Sequence, residues 1–128
     1  MPDAPAGRIT AFAAVFAVEN VPASLAFYRD RLGFTARFTL GDPPSYAIIE
    51  RGPIELHLMP PGDKDRQGGQ PAGQSSIYAY STGLDRLHAA LLAQGCPIEV
   101  PPQDFPYGMR EFSVRDPDGN RVTFGQEI

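Results

Sequence analysis

The sequence predicts an α+β fold assembled from two βαβββ modules in tandem. Three observations carry that prediction: an apolar strand opens each half, the helix after it stops at a glycine, and three further strand-like runs follow each stop. Residue identity between the halves is low, so the repeat is one of pattern. A chance alternation of strands and helices would give the same order, and periodicity alone leaves the repeat open.

In the first half, Ile9 to Val18 is almost wholly apolar, with Phe12, Val15, Phe16 and Val18, and reads as a buried strand. Asn20 is a good helix cap and Pro22 suits a first turn. Leu25, Tyr28 and Leu32 then recur at helical spacing, and Gly33 fits the stop. Arg37 to Leu40, Ser45 to Glu50 and Ile54 to Met59 read as strands. The turns Gly41-Asp42-Pro43-Pro44 and Arg51-Gly52-Pro53 separate them.

Pro60 to Ser75 is polar and rich in Gly, Pro and Gln, the composition of a linker or mobile flap. The order then restarts. Ser76 to Tyr80 reads as a strand, and Leu84 to Gln94 as a helix with Leu84, Leu87, Leu91 and Leu92 on one side and Gly95 at its end. Strands are expected at Ile98 to Val100, Glu111 to Arg115 and Arg121 to Phe124. A single domain follows, with a module over 9–59, a linker over 60–75 and a module over 76–126.

Composition narrows the function classes. A chain of 128 residues can bury a core without staples. No apolar run is long enough for a membrane span, and Met1 to Gly7 lacks the basic and apolar regions of a secretory signal. Cys96 stands alone, cannot form an internal disulfide, and fits a reduced cytoplasmic setting. A net charge of −4 with no basic stripe argues against nucleic acid and suits a cationic or neutral ligand. No Ser-His-Asp set, CxxC pair, GxGxxG or phosphate-cradling loop occurs, so no cofactor is expected.

Two stretches identify the pattern more closely. Val18-Glu19-Asn20-Val21-Pro22-Ala23-Ser24-Leu25-Ala26-Phe27-Tyr28-Arg29-Asp30-Arg31-Leu32-Gly33-Phe34 resembles the strand-to-helix entry of the vicinal oxygen chelate superfamily. That superfamily includes glyoxalase I, extradiol dioxygenases, and fosfomycin- and bleomycin-resistance proteins. Tyr107 to Asn120, with Asp116-Pro117-Asp118-Gly119-Asn120, resembles its closing hairpin. Pro117 presets a turn, and Asp118-Gly119 supplies the positive-φ position, which locks the register of the last two strands. The resemblance spans residues 9–126 and implies curved mixed sheets around a cleft, completed in a homodimer.

Enzymes of this superfamily hold a divalent metal with His, Glu or Gln from fixed strand positions. Carried over to this chain, those positions read Ala13, Ser76 and Thr123, none of them a usual donor. Only Ile54-Glu55-Leu56-His57-Leu58 offers donors, and alternation turns Glu55 and His57 away from the apolar face. One strand alone chelates poorly, so no metal is expected. His88, among helix leucines, reads as a helix-surface or core-edge residue.

Alternation also sorts the remaining strands. Ile77, Ala79, Phe112, Val114, Val122 and Phe124 belong to the core, which turns Tyr78, Tyr80, Met109, Glu111, Ser113 and Thr123 toward the cleft. The candidate ligand-binding residues are Glu55, His57, Tyr78, Tyr80, Glu111, Ser113 and Thr123, with Phe105 and Tyr107 reaching in from a loop. Aromatic faces stack on flat rings or hold cations, and carboxylates pair with ammonium groups. The expectation is therefore a metal-free binding protein resembling the bleomycin-resistance branch, sequestering a bulky cationic or aromatic, antibiotic-like molecule without chemistry. The alternative is a metal-dependent lyase or dioxygenase on the same scaffold.

Overall fold

The structure, a computed structural model, describes residues 6–62 and 71–128. The 63–70 part of the expected linker lies outside the described residues. The first half runs β1 (Ala14–Ala17), α1 (Val21–Leu32), β2 (Thr35–Leu40), β3 (Tyr46–Arg51) and β4 (Ile54–Met59). The second runs β5 (Ser76–Tyr80), α2 (Leu84–Ala93), β6 (Ile98–Phe105), β7 (Met109–Arg115) and β8 (Arg121–Glu127). Each half folds its strands into one mixed sheet, ordered β1-β4-β3-β2 and β5-β8-β7-β6. In both, the first strand lies parallel to the last and the other pairs are antiparallel.

Local chemistry explains the helix ends. The Asn20 side chain accepts from the Ala23 N–H, with Pro22 in the first turn, and Gly33 closes α1 at φ 73°. Only glycine takes that left-handed conformation at little cost. The two halves share one buried core, in which Phe16, Tyr28, Leu56 and Leu58 meet Phe112, Val114, Val122 and Phe124. Among the described residues no helix is long and apolar enough to cross a membrane.

The turn from Asp116 to Asn120 ties the halves together. Asp116 Oδ1 accepts from the backbone N–H groups of Asp118, Gly119 and Asn120, and its other oxygen accepts from the buried Tyr28 hydroxyl at 3.0 Å. Asn120, fully buried, donates to the Ala17 carbonyl at 3.1 Å and accepts from the Ser75 N–H at 3.0 Å. Asp118 in turn accepts from the Glu19 N–H at the entry to α1. The hairpin therefore sets its own register and also holds the first half against the second.

Several boundaries differ from the sequence expectations. Residues 9–13 are not strand, and Ile9 and Phe12 are 95% and 89% exposed. The ladder between β1 and β4 starts at Ala14 opposite Leu56, and the first two residues of β4, Ile54 and Glu55, pair with β3. Strand β6 continues through Pro101 and Pro102 to Phe105 instead of ending at Val100. It is an edge strand, and its register shifts between Val100 and Gln103 absorb the missing proline N–H groups. Strand β2 starts earlier, at Thr35, β7 starts earlier, at Met109, and β8 runs on to Glu127. On α2, Leu84 and Leu91 are buried but Leu92 is 52% exposed, because it lies off the face that meets the sheet. His88 sits at the core edge, its ring 5.3 Å from that of Phe112.

Candidate functional site

Strand pleating builds the site from two polar sheet faces. On β4, Leu56 and Leu58 enter the core and Glu55 and His57 occupy the opposite face. His57 is held at both ring nitrogens: Nδ1 lies 2.9 Å from the Tyr46 hydroxyl and Nε2 lies 3.3 Å from a Glu55 oxygen. The other Glu55 oxygen accepts from Arg37 at 2.6 Å. Arg37 also lies 3.8 Å from Glu50. Glu55 and Glu50 thus share one arginine supplied by the same sheet.

The second face is organised around Glu111. Tyr78 donates to one of its carboxylate oxygens at 2.7 Å and Tyr107 to the other at 2.8 Å. The Tyr80 ring lies 5.3 Å from that of Tyr78, and Phe105 stacks on Tyr107 at 5.4 Å. Gly125 makes the arrangement possible, since a Cβ there would overlap the Tyr78 hydroxyl. Partial desolvation and the bond to Glu111 push both phenols above their ordinary range, so both remain protonated donors.

Further along the same sheet, Ser113 and Thr123 pair across β7 and β8. With Phe105, Glu111 and Arg121 they line a cavity of about 120 Å³. Glu99 joins Arg115, Arg121 and the Ser113 hydroxyl beside it.

A larger cavity of about 530 Å³ lies at the seam of the two sheets. Ala14, Ile54 and Leu56 wall it on one side, and Ile77, Ala79, Leu87 and Phe124 on the other, with Phe12 at its edge. Glu55, Tyr78 and Tyr80 are the site candidates that also line it. Tyr78 lines this cavity and also holds Glu111, which links the seam to the second face. His57 contacts Glu55 but does not line this cavity.

Sequence reasoning missed several members of these networks. Tyr46 and Arg37 complete the Glu55–His57 network, and alternation along β3, with Tyr46 two residues before Ile48, carried a signal for the former. Glu99 lay inside the expected Ile98 to Val100 strand, but its partners Arg115, Arg121 and Ser113 come from other strands. Gly125 fell just past the expected end of the last strand at Phe124, so the mark of a close approach, a glycine inside a strand, did not show.

The donor set does not fit a divalent metal. Ala13 has no donor, Ser76 and Thr123 offer hydroxyls only, and His57 has both nitrogens engaged. Among the described residues no group of three or more His, Cys, Asp or Glu is placed to hold one. Cys96 is buried, and desolvation raises its thiol pKa, the opposite of nucleophilic activation.

Two mixed βαβββ sheets with polar faces beside a shared core define the class: a paired-module, cleft-forming α+β protein. The chain belongs to the Glyoxalase/Bleomycin resistance protein/Dioxygenase superfamily, whose family model matches residues 9–124. A curated bleomycin resistance protein of Geobacillus stearothermophilus is 27% identical, over 87% of this chain and 92% of that protein. A crystal structure of lactoylglutathione lyase from Agrobacterium tumefaciens is 25% identical with a TM-score of 0.71, covering 93% of this chain and 95% of that one. A superfamily member from Nocardioides superposes with a TM-score of 0.75 at 21% identity, covering 95% and 85%, and speaks to the fold alone.

Proposed function

We propose that this chain is a metal-free binding protein that holds a bulky cationic or aromatic, antibiotic-like molecule without altering it. The observation that carries this reading is the seam cavity of about 530 Å³, walled by apolar side chains with Tyr78, Tyr80 and Glu55 among them. Such walls with a few placed polar groups are the usual make-up of a small-molecule site. In this reading the ligand reaches beyond the seam cavity, to Tyr107, Glu111, Phe105, Ser113 and Thr123 along the second sheet and to His57 beside Glu55. Relatives named for bleomycin resistance support the same reading. Sequestration requires affinity alone, and a micromolar dissociation constant corresponds to about −8 kcal/mol.

Calorimetric titration with bleomycin and related cationic glycopeptides tests the proposal. Saturable heat supports it, and no heat at any accessible concentration removes the antibiotic reading. The likeness to a lactoylglutathione lyase favours a second reading, metal-dependent chemistry on this scaffold. Elemental analysis of protein purified without chelator separates the two. A stoichiometric divalent ion lost in His57→Ala would reverse the order.

The working unit proposed is a cytoplasmic homodimer. Exposed Phe12, Phe38 and Leu40 support self-association. Light scattering on purified protein reads the mass directly, and a monomer at micromolar concentration would contradict it.

A further inference from the structure

The carboxylates on the sheets are not treated alike. Glu50 and Glu55 face Arg37, and Glu99 faces Arg115 and Arg121. Glu127 is exposed near the chain's end. Glu111 is partly buried and, among the described residues, forms no ion pair; Arg121, which shares its small cavity, is paired with Glu99. Two neutral phenols hold its two oxygens instead. A half-desolvated carboxylate normally acquires a cationic partner, because burial penalises its charge unless that charge is matched. Here the fold spends a glycine, Gly125, to bring Tyr78 across β8 and surrounds the charge with Tyr78, Tyr80, Phe105 and Tyr107.

The hydroxyls also restrict which cation fits. Each oxygen has already accepted one hydrogen bond, so its charge is spread. Around it lie rings rather than further acceptors. A small, strongly hydrated cation, whether a metal ion or a primary ammonium, would surrender its water for one shared carboxylate. A bulky alkylated ammonium has little hydration to lose, needs no hydrogen-bond acceptors, and gains from aromatic surface.

We infer that Glu111, with Tyr78 and Tyr107 clamping it and Tyr80 and Phe105 beside it, is a seat for a tertiary or quaternary ammonium group of the ligand. The inference rests on the reading of the chain as a small-molecule binder. It adds a place and a chemical class for the cation that net charge alone does not supply. Glu55, already matched by Arg37, is not that seat.

The test compares benzyltrimethylammonium with its neutral isostere neopentylbenzene and with the smaller primary benzylammonium. Wild-type protein should bind the quaternary probe at least tenfold more tightly than either of the others. In Glu111→Gln, which keeps the side-chain shape and its acceptor oxygen, that preference should disappear. Tyr107→Phe, at an exposed position, should reduce it by a smaller factor while the melting temperature stays unchanged. A neutral fluorescent probe, N-phenyl-1-naphthylamine, reports the seam cavity separately and should bind wild type and Glu111→Gln alike. Loss of that signal in wild type would count against the cavity reading and leave the cation comparison to stand or fall on its own. Equal affinity of wild type for the quaternary and neutral probes would overturn the seat. So would a preference unchanged in Glu111→Gln.

Discussion

Glu55 and Glu111, both partly buried on the polar faces of the two sheets, are held in opposite ways. Glu55 sits in a closed network with Arg37, His57 and Tyr46, all supplied by its own sheet. Glu111 is held by two phenols and surrounded by rings, with its charge unmatched among the described residues. A carboxylate that is neutralised internally contributes to the sheet. One that is oriented but left unneutralised is prepared for something that arrives from outside. Counting acidic residues on a cleft does not make that distinction; their partners do.

The comparison depends on the two faces being held in a fixed relation, and the largest expected effect comes from releasing it. Asn120→Ala would remove three bonds of a fully buried side chain, to the Ala17 carbonyl, the Ser75 N–H and the Asp116 carboxylate. It should cost about 3 kcal/mol, read as a lower urea midpoint at unchanged slope. A loss below 1 kcal/mol would mean that the halves are held by the apolar core alone.

A narrower break separates orientation from charge. Gly125→Ala should push Tyr78 off β8, cost about 1–3 kcal/mol through overpacking, and abolish the quaternary-ammonium preference while Glu111 remains. If the preference survives, Tyr78 is not the residue that positions the carboxylate.

The phenols give the comparison a pH signature. Burial raises the Tyr28 pKa well above the ordinary value of 10.0, with Asp116 adding to the shift, and Tyr78 is raised by desolvation and its bond to Glu111. A phenol whose folded-state pKa is raised contributes stability that is complete below its unfolded value and is lost as pH rises beyond it. Stability should therefore hold through neutral pH and fall above about pH 10. Tyr78→Phe should flatten part of that fall, measured by denaturant titration at pH 9 and 11. An identical fall in the variant would remove Tyr78 from the account.

The smallest expected effect is at the matched face. Glu55→Gln breaks an ion pair whose arginine is half exposed, and should change stability by less than about 1 kcal/mol. A larger cost would show that the Arg37–Glu55–His57 network is more than a surface arrangement.

Much of the fold was legible in the sequence because its signals are local. Asn20 and Gly33 cap α1, and alternation placed Leu56, Leu58, Phe112 and Val114 in the core. The misplaced boundaries had non-local causes. An apolar run does not show that its ladder with β4 starts only at Ala14, and Pro101-Pro102 are tolerated because β6 is an edge. The candidate site divides in the same way. Alternation named Glu55, His57, Tyr78, Glu111 and Thr123 on the strand faces, since that needs only a period of two. It did not reveal that Tyr107 and Tyr78 converge on one carboxylate, because their meeting depends on a hairpin turn and on Gly125 in the strand between Tyr78 and Glu111. Nor could it show that Arg37 neutralises Glu55 from across the sheet.

One measurement addresses the contrast between the two carboxylates most directly: parallel calorimetric titration of wild type, Glu111→Gln and Glu55→Gln with the same cationic aromatic ligand. The account predicts that affinity falls at least tenfold in Glu111→Gln, about 1.4 kcal/mol, and stays within twofold of wild type in Glu55→Gln. Equal losses at both positions, or a loss at Glu55 alone, would contradict it.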